Sequence, residues 1–234
     1  MRGLAVLLVL VGCDEAFDLE HIEDVPLPQG LVAYFPMDDI AGGVLVDLAG
    51  SHDGACATCP SRVSGVRGNA MQFDGATMLV TAPSSPVLEA NASFSIAVWV
   101  RLDGPTFADD YGCTVNKRFG TELSNSWQFC TFMDRWYFFT GTDQIVGPTI
   151  DYGTWHHLAA TLDAATSQLQ LYQDGVPFRA PVTQSIPLDD GPLIIGADID
   201  SGTTASWLPG TLDEFRIYDR ALAHSEILDL IRAQ

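Results

Sequence analysis

The 234-residue chain carries 30 Asp plus Glu against 11 Lys plus Arg, for a formal charge of −19, while 47% of its residues are hydrophobic and only 18% are charged. A chain this apolar can bury a core, so its acidity marks a folded protein poor in bases and not a disordered acidic tail. So few bases argue against duplex binding, which depends on Lys and Arg to neutralise phosphates, and against attraction to an anionic membrane.

Residues 1–12 place Arg2 ahead of an apolar run too short to span a bilayer, and the run closes in Leu10-Val11-Gly12-Cys13. That order of charge, apolar core, small residue and cysteine resembles the bacterial lipoprotein signal, which implies cleavage before Cys13 and acylation of that residue. Loss of Arg2 with the peptide would take the charge from −19 to −20. Residues 13–28 hold six acids and no base and end in Pro26 and Pro28. They are expected to form an extended stalk, since charge repulsion and prolines oppose packing. The protein is therefore expected to be exported and lipid-anchored to the cell envelope, at a membrane the sequence leaves undecided between inner and outer.

The remaining cysteines are Cys56, Cys59, Cys113 and Cys130. An even number in an exported protein points to disulfides. Of the three connectivities we expect the local one, Cys56 with Cys59 and Cys113 with Cys130, because Cys113 to Phe119 and Trp127 to Phe132 read as neighbouring hairpin strands. A redox reading of Cys56-Ala57-Thr58-Cys59 lacks the strand before it and the helix after it. Zinc is the weaker alternative, with His52 nearby and only one Cys-x-x-Cys pair.

From residue 29 to 234 the chain reads as one all-β domain. Alternating apolar residues mark Ser93 to Val100 and Gln168 to Tyr172. Further runs are Leu31 to Phe35, Ala70 to Phe73, Met78 to Thr81, Trp136 to Thr140, His156 to Leu162, Leu193 to Ala197 and Leu212 to Tyr218. Asp74-Gly75, Asp103-Gly104, Asp174-Gly175 and Asp190-Gly191 are expected to supply the positive φ of tight turns. One helix is predicted, over His224 to Arg232, with Ile227, Leu228 and Ile231 as its apolar stripe and Glu226 in the first turn. This pattern predicts an antiparallel two-sheet sandwich with a short C-terminal helix.

Several segments, in order, resemble the laminin G-like jelly roll of the concanavalin A-like lectin/glucanase superfamily. They are Leu31-Val32-Ala33-Tyr34-Phe35-Pro36-Met37-Asp38, Val46-Asp47-Leu48-Ala49-Gly50 with His52-Asp53-Gly54, Gly65 to Gly75, Phe94 to Val100, Gly153 to Asp163, Leu171 to Gly175, and Gly210 to Leu222. The resemblance covers about Leu31 to Ile231. It departs at Cys56 and Cys59, which sit in a loop that is usually plain, and at Tyr111 to Arg135, which has no familiar counterpart. It implies two packed antiparallel sheets, the concave one offering a ligand surface. It further implies a structural Ca²⁺ tying the early loop to the last strand, for which Asp38, Asp47 and Asp213 occupy the matching acidic positions. Asp198 and Asp200 form a weaker candidate pair.

Catalysis finds little support. Glycosidases on this jelly roll place carboxylates on alternate residues of one strand, about 5 Å apart. Here Asp38-Asp39 and Asp213-Glu214 are adjacent and expected to point oppositely. His156 and His157, also adjacent, cannot chelate one ion from opposite faces of a strand and are expected to be structural. No Gly-x-Ser-x-Gly elbow or His-Glu-x-x-His helix occurs. We therefore expect no enzyme but a binding protein, for a glycan through aromatic faces and flanking polar groups on the concave sheet or rim loops, or alternatively for an envelope or extracellular protein, with a divergent glycoside hydrolase as the least favoured alternative. Trp136, Tyr137 and Trp207 are the expected ligand contacts, whereas Trp99 and Trp155, set in alternating strands, are expected in the core.

Overall fold

The computed structural model describes residues 28–85, 93–105, 111–118, 125–141, 143–178, 182–183, 191–200 and 202–233. The signal segment, Cys13, the stalk to residue 27 and the Asp190 turn position lie outside them.

Two large antiparallel sheets form a sandwich. The first sheet orders its main strands as Val176–Pro177, Gln168–Gln173, Trp155–Asp163, Phe94–Leu102, Pro209–Tyr218, Asn69–Asp74 and Ser61–Ser64. Leu31–Phe35 also pairs with Pro209–Tyr218, and Val182–Thr183 with Gln168–Gln173. The second sheet runs Asp143–Thr149, Arg135–Gly141, Asn125–Phe132, Gly112–Arg118, Leu193–Ile195, Val80–Ala82, Gly54–Ala55 and Val44–Leu45.

Strand periodicity sets the core. Phe94, Ile96, Val98, Val100 and Leu102 face inward from one strand, and Leu158, Ala160 and Leu162 from its neighbour. They meet Val115, Trp127, Phe129, Trp136, Phe138, Leu193 and Ile195 of the second sheet. The alternate residues Ala97, Ala159, Tyr172 and Tyr218 bury the other side of the first sheet under Leu222 and Ile227, so the helix His224–Arg232 lies on that outward face. Glu226 fixes the start of the helix: its carboxylate accepts the Ala223 N–H at 2.8 Å and the Arg220 guanidinium at 2.6 and 2.8 Å.

Both expected disulfides are present, Cys56–Cys59 and Cys113–Cys130. The turns differ in part from expectation. Gly75 and the Asp174-Gly175 pair adopt positive φ, but Gly104 does not. A tight turn of the second sheet is instead built by Met133-Asp134, with φ of 46° and 60°, closing the hairpin between Phe132 and Arg135. The edge strand Asp143–Thr149 carries Gly147 and Pro148, residues that weaken a strand pattern and suit an edge, where one side makes no ladder bonds.

Candidate functional site

On the second sheet Trp127, Phe129, Trp136, Phe138 and Ile145 turn into the core, so the residues between them turn out. Register places Tyr137 opposite both Cys130 and Val146, Phe139 opposite Gln128 and Gln144, and Arg135 opposite Phe132. Directly opposed residues share a face. The outward side thus carries Phe132, Tyr137 and Phe139, with Tyr111 joining them from just ahead of Gly112–Arg118. Tyr111 stacks on Phe132 with centroids 4.6 Å apart and meets Phe139 edge-on at 5.5 Å, while Tyr137 stacks on Phe139 at 5.8 Å. Phe132 and Tyr137 make a further edge contact at 6.1 Å. All four are half-buried, leaving ring surface open to solvent. The buried Cys113–Cys130 bridge joins the two strands beside them, and the Met133-Asp134 turn joins the next pair.

Of the expected ligand contacts, only Tyr137 belongs to this face. Trp136, its chain neighbour, points the opposite way and is 1% exposed in the core. No ligand can reach it there, so its assignment is corrected by strand parity. Trp207 is half-buried on the segment whose Ser206 carbonyl accepts the Cys113 N–H at 2.8 Å, which sets it near the same strand. Tyr111, Phe132 and Phe139 were missed. Their signal was present as alternation in Thr131-Phe132 and Tyr137-Phe138-Phe139, but identifying the outward set requires knowing which residues fill the core.

Of the remaining tryptophans, Trp99 is buried as expected, on the outward side of the first sheet, where it meets His157 edge-on at 5.2 Å. Trp155 departs from expectation: it is half-buried and lies under the Arg101 guanidinium at 5.2 Å. His156 and His157 do face oppositely, and both are buried. His156 Nδ1 lies 2.8 Å from an Asp174 carboxylate oxygen, which raises its pKa. Burial drives His157 down to about 4, so it stays neutral.

The three expected calcium ligands serve backbone amides. Asp47 accepts N–H groups of Tyr34 at 2.8 Å and Ala49 at 3.0 Å with one oxygen, and the His52 N–H and ring with the other. Burial pushes its pKa up, but these donors more than offset that and hold it below the usual value. Asp38 accepts the Asn69 N–H at 2.7 Å, and Asp213 accepts those of Val66 at 2.7 Å and Arg67 at 3.0 Å. Together Asp38 and Asp213 clasp the turn 65–69 from two sides. Gly68, at φ 61°, leaves room for the Asp38 carboxylate, which a Cβ would approach to 2.4 Å. Among the described residues no group of three or more His, Cys, Asp or Glu is arranged to hold a metal. Asp198 is buried and accepts the Ile199 N–H at 2.8 Å, and the Asp200 side chain lies outside the described residues.

Asp213 and Glu214 do not alternate between core and solvent, because Glu214 sits at a bulge with φ 53° and both are buried. Glu214 accepts the Tyr34 hydroxyl at 2.8 Å and a short hydrogen bond from Arg216, whose guanidinium lies 4.2 Å over the Tyr34 ring. Burial raises Asp213 to about 7, and one of its oxygens is buried with no hydrogen-bond donor.

Two packed antiparallel sheets with a short C-terminal helix on one outward face define a concanavalin A-like sandwich. The chain belongs to the Laminin_G_3 family of the concanavalin A-like lectin/glucanases superfamily, whose model matches residues 74–228. Among solved structures it is similar to the binding domain of Paraclostridial Mosquitocidal Protein 1, at 16% identity and a TM-score of 0.70 over 87% of this chain and 52% of that one. It is similar to Trypanosoma rangeli sialidase in complex with sialic acid, at 19% identity and a TM-score of 0.68 over 88% of this chain and 33% of that one. It is also similar to botulinum neurotoxin type C, described as depending on two ganglioside molecules for cell entry, at 12% identity and a TM-score of 0.64 over 87% of this chain and 51% of that one. The chain thus spans between a third and about half of these proteins. No curated protein sequence matches it.

Proposed function

We propose that the chain is a glycan-binding protein, tethered to the cell envelope through lipid on Cys13, and that Tyr111, Phe132, Tyr137 and Phe139 form its sugar-stacking surface. The observation that carries this reading is the contiguous, half-open aromatic cluster on the outward side of the second sheet. An aromatic face suits the C–H side of a pyranose, and the flanking Gln128 and Gln144 are of the kind that fixes hydroxyls. The similarity to a sialidase and to a ganglioside-dependent toxin supports the same reading at the level of the fold. Binding without hydrolysis is the form we propose, because the outward positions of these strands carry Gln128, Cys130, Gln144 and Val146 where paired carboxylates would be needed.

The test is a glycan-array screen of the full chain followed by titration of the best glycan against Tyr137→Ala. A loss of about tenfold or more is expected, the scale of one aromatic stacking contact. Failure of the wild-type protein to bind any glycan would overturn the reading. Mass spectrometry of the mature protein checks the anchor: an uncleaved chain with no acyl group on Cys13 would refute it.

One observation favours a second reading, a protein contact. Val44, Val46 and Leu48 are 36%, 46% and 55% exposed, with Val44 in the edge strand Val44–Leu45 of the second sheet and the other two in the chain that follows it. Concentration-dependent self-association that Val46→Lys abolishes would favour it.

A further inference from the structure

Resting on that glycan-binding reading, we infer that the aromatic face selects acidic sugars and that Arg135 reads their carboxylate. The argument begins with where the positive charge goes. Seven arginine side chains fall among the described residues. Six of them, Arg62, Arg67, Arg101, Arg216, Arg220 and Arg232, have a carboxylate at 3.8 Å or less. Lys117 is buried and donates to the Gly191 carbonyl. Arg135 has no carboxylate partner within ion-pair distance among the described residues.

Its position supplies the second observation. Arg135 is exposed and stands opposite Phe132, on the same outward side as Tyr137 and Phe139. One guanidinium nitrogen donates to the Gly147 carbonyl at 3.0 Å, which orients the group across the strand beside the Tyr137–Val146 pair while leaving its other N–H groups available. The neighbouring Asp134 is occupied elsewhere, accepting the Tyr152 hydroxyl at 2.6 Å. A planar, oriented guanidinium at the rim of an aromatic surface matches a ring that carries a carboxylate, as sialic and uronic acids do. Remote acids oppose this weakly, since salt screens exposed charges beyond about 8 Å at physiological ionic strength.

The experiment titrates the full chain with sialyllactose, with a galacturonic acid dimer and with lactose, in wild type and in Arg135→Gln. We expect at least one of the two acidic sugars to bind about tenfold more tightly than lactose, and Arg135→Gln to remove that margin while leaving lactose binding and the melting temperature unchanged. Which acidic sugar binds identifies the source of the carboxylate. Equal binding of acidic and neutral sugars by wild type, or a margin that survives Arg135→Gln, would overturn the inference and leave the aromatic surface standing. Absence of all binding would take down the surface and the inference together.

Discussion

The two outward faces of the sandwich solve the problem of exposed side chains in different ways. On the first sheet Ala97, Ala159, Tyr172 and Tyr218 are covered by the C-terminal helix, and beyond it Tyr34, Asp213, Glu214 and Arg216 are tied to each other and to the turn 65–69. On the second sheet four aromatic rings contact one another but remain half open, and Arg135 has no counter-ion among the described residues. Most polar groups of the first face pair with one another, a buried Asp213 oxygen and His157 Nδ1 excepted, and do structural work. Groups left partly unsatisfied at a surface are available to something else.

The contrast can be broken most strongly at the covered face. Ile227→Asp places a charge where the native side chain is fully buried, and should cost about 4 kcal/mol or more of stability, read by denaturant unfolding. Glycan binding by the fraction still folded should be unchanged. Replacing Cys113 and Cys130 by alanine opens a bridge of sequence separation 17 and should cost about 3 kcal/mol. Because that bridge lies beside the aromatic rings, this double variant should also weaken sugar binding, which Ile227→Asp should not.

Proton linkage sharpens the same contrast within the first sheet. Asp213, raised to about 7 from 3.8, keeps a proton that the unfolded chain has lost, so its contribution to stability falls as pH rises through that window. His157, lowered to about 4 from 6.5, refuses a proton that the unfolded chain takes, so its contribution falls as pH drops between those values. The two slopes oppose each other where their windows overlap. Asp213→Asn should therefore expose the His157 slope, giving a protein that loses stability toward acid more steeply than wild type when unfolding is measured at several pH values. The smallest effect belongs to Arg232→Ala. Its pair with Asp229 is about 70% exposed on both sides, so the melting temperature should barely move.

Much of the fold was legible because its signals are local. The alternation in Phe94 to Val100, the paired cysteines and the helix from His224 to Arg232 each depend on residues close in sequence, and each appears in the structure. The site was less legible because it depends on parity set from a distance. Trp136 and Tyr137 are equally suitable for sugar contact by residue type, and only packing against His156 and the first sheet decides that Trp136 goes inward. The bulge at Glu214 had the same effect: it broke the alternation that would have sent Asp213 and Glu214 to opposite sides. Asp38, Asp47 and Asp213 were recognisable as positions of consequence, and each carboxylate accepts backbone amides from a distant segment. The Met133-Asp134 turn gave only half a sequence signal, since Asp tolerates positive φ but Met does not favour it.

The entry of the chain into the domain has a mechanical consequence. Gln29 and Gly30 are held by Arg220 and Asp219, and Leu31–Phe35 is hydrogen-bonded along the strand Pro209–Tyr218. A pull on the chain ahead of Pro28 is therefore shared among several bonds of the first sheet and passed to the final strand. The strands Gly112–Arg118, Asn125–Phe132 and Arg135–Gly141, around which the aromatic surface is built, belong to the other sheet and are not in that line of load. A load on the chain ahead of Pro28 and a contact at the aromatic surface would thus be borne by different layers of the same sandwich.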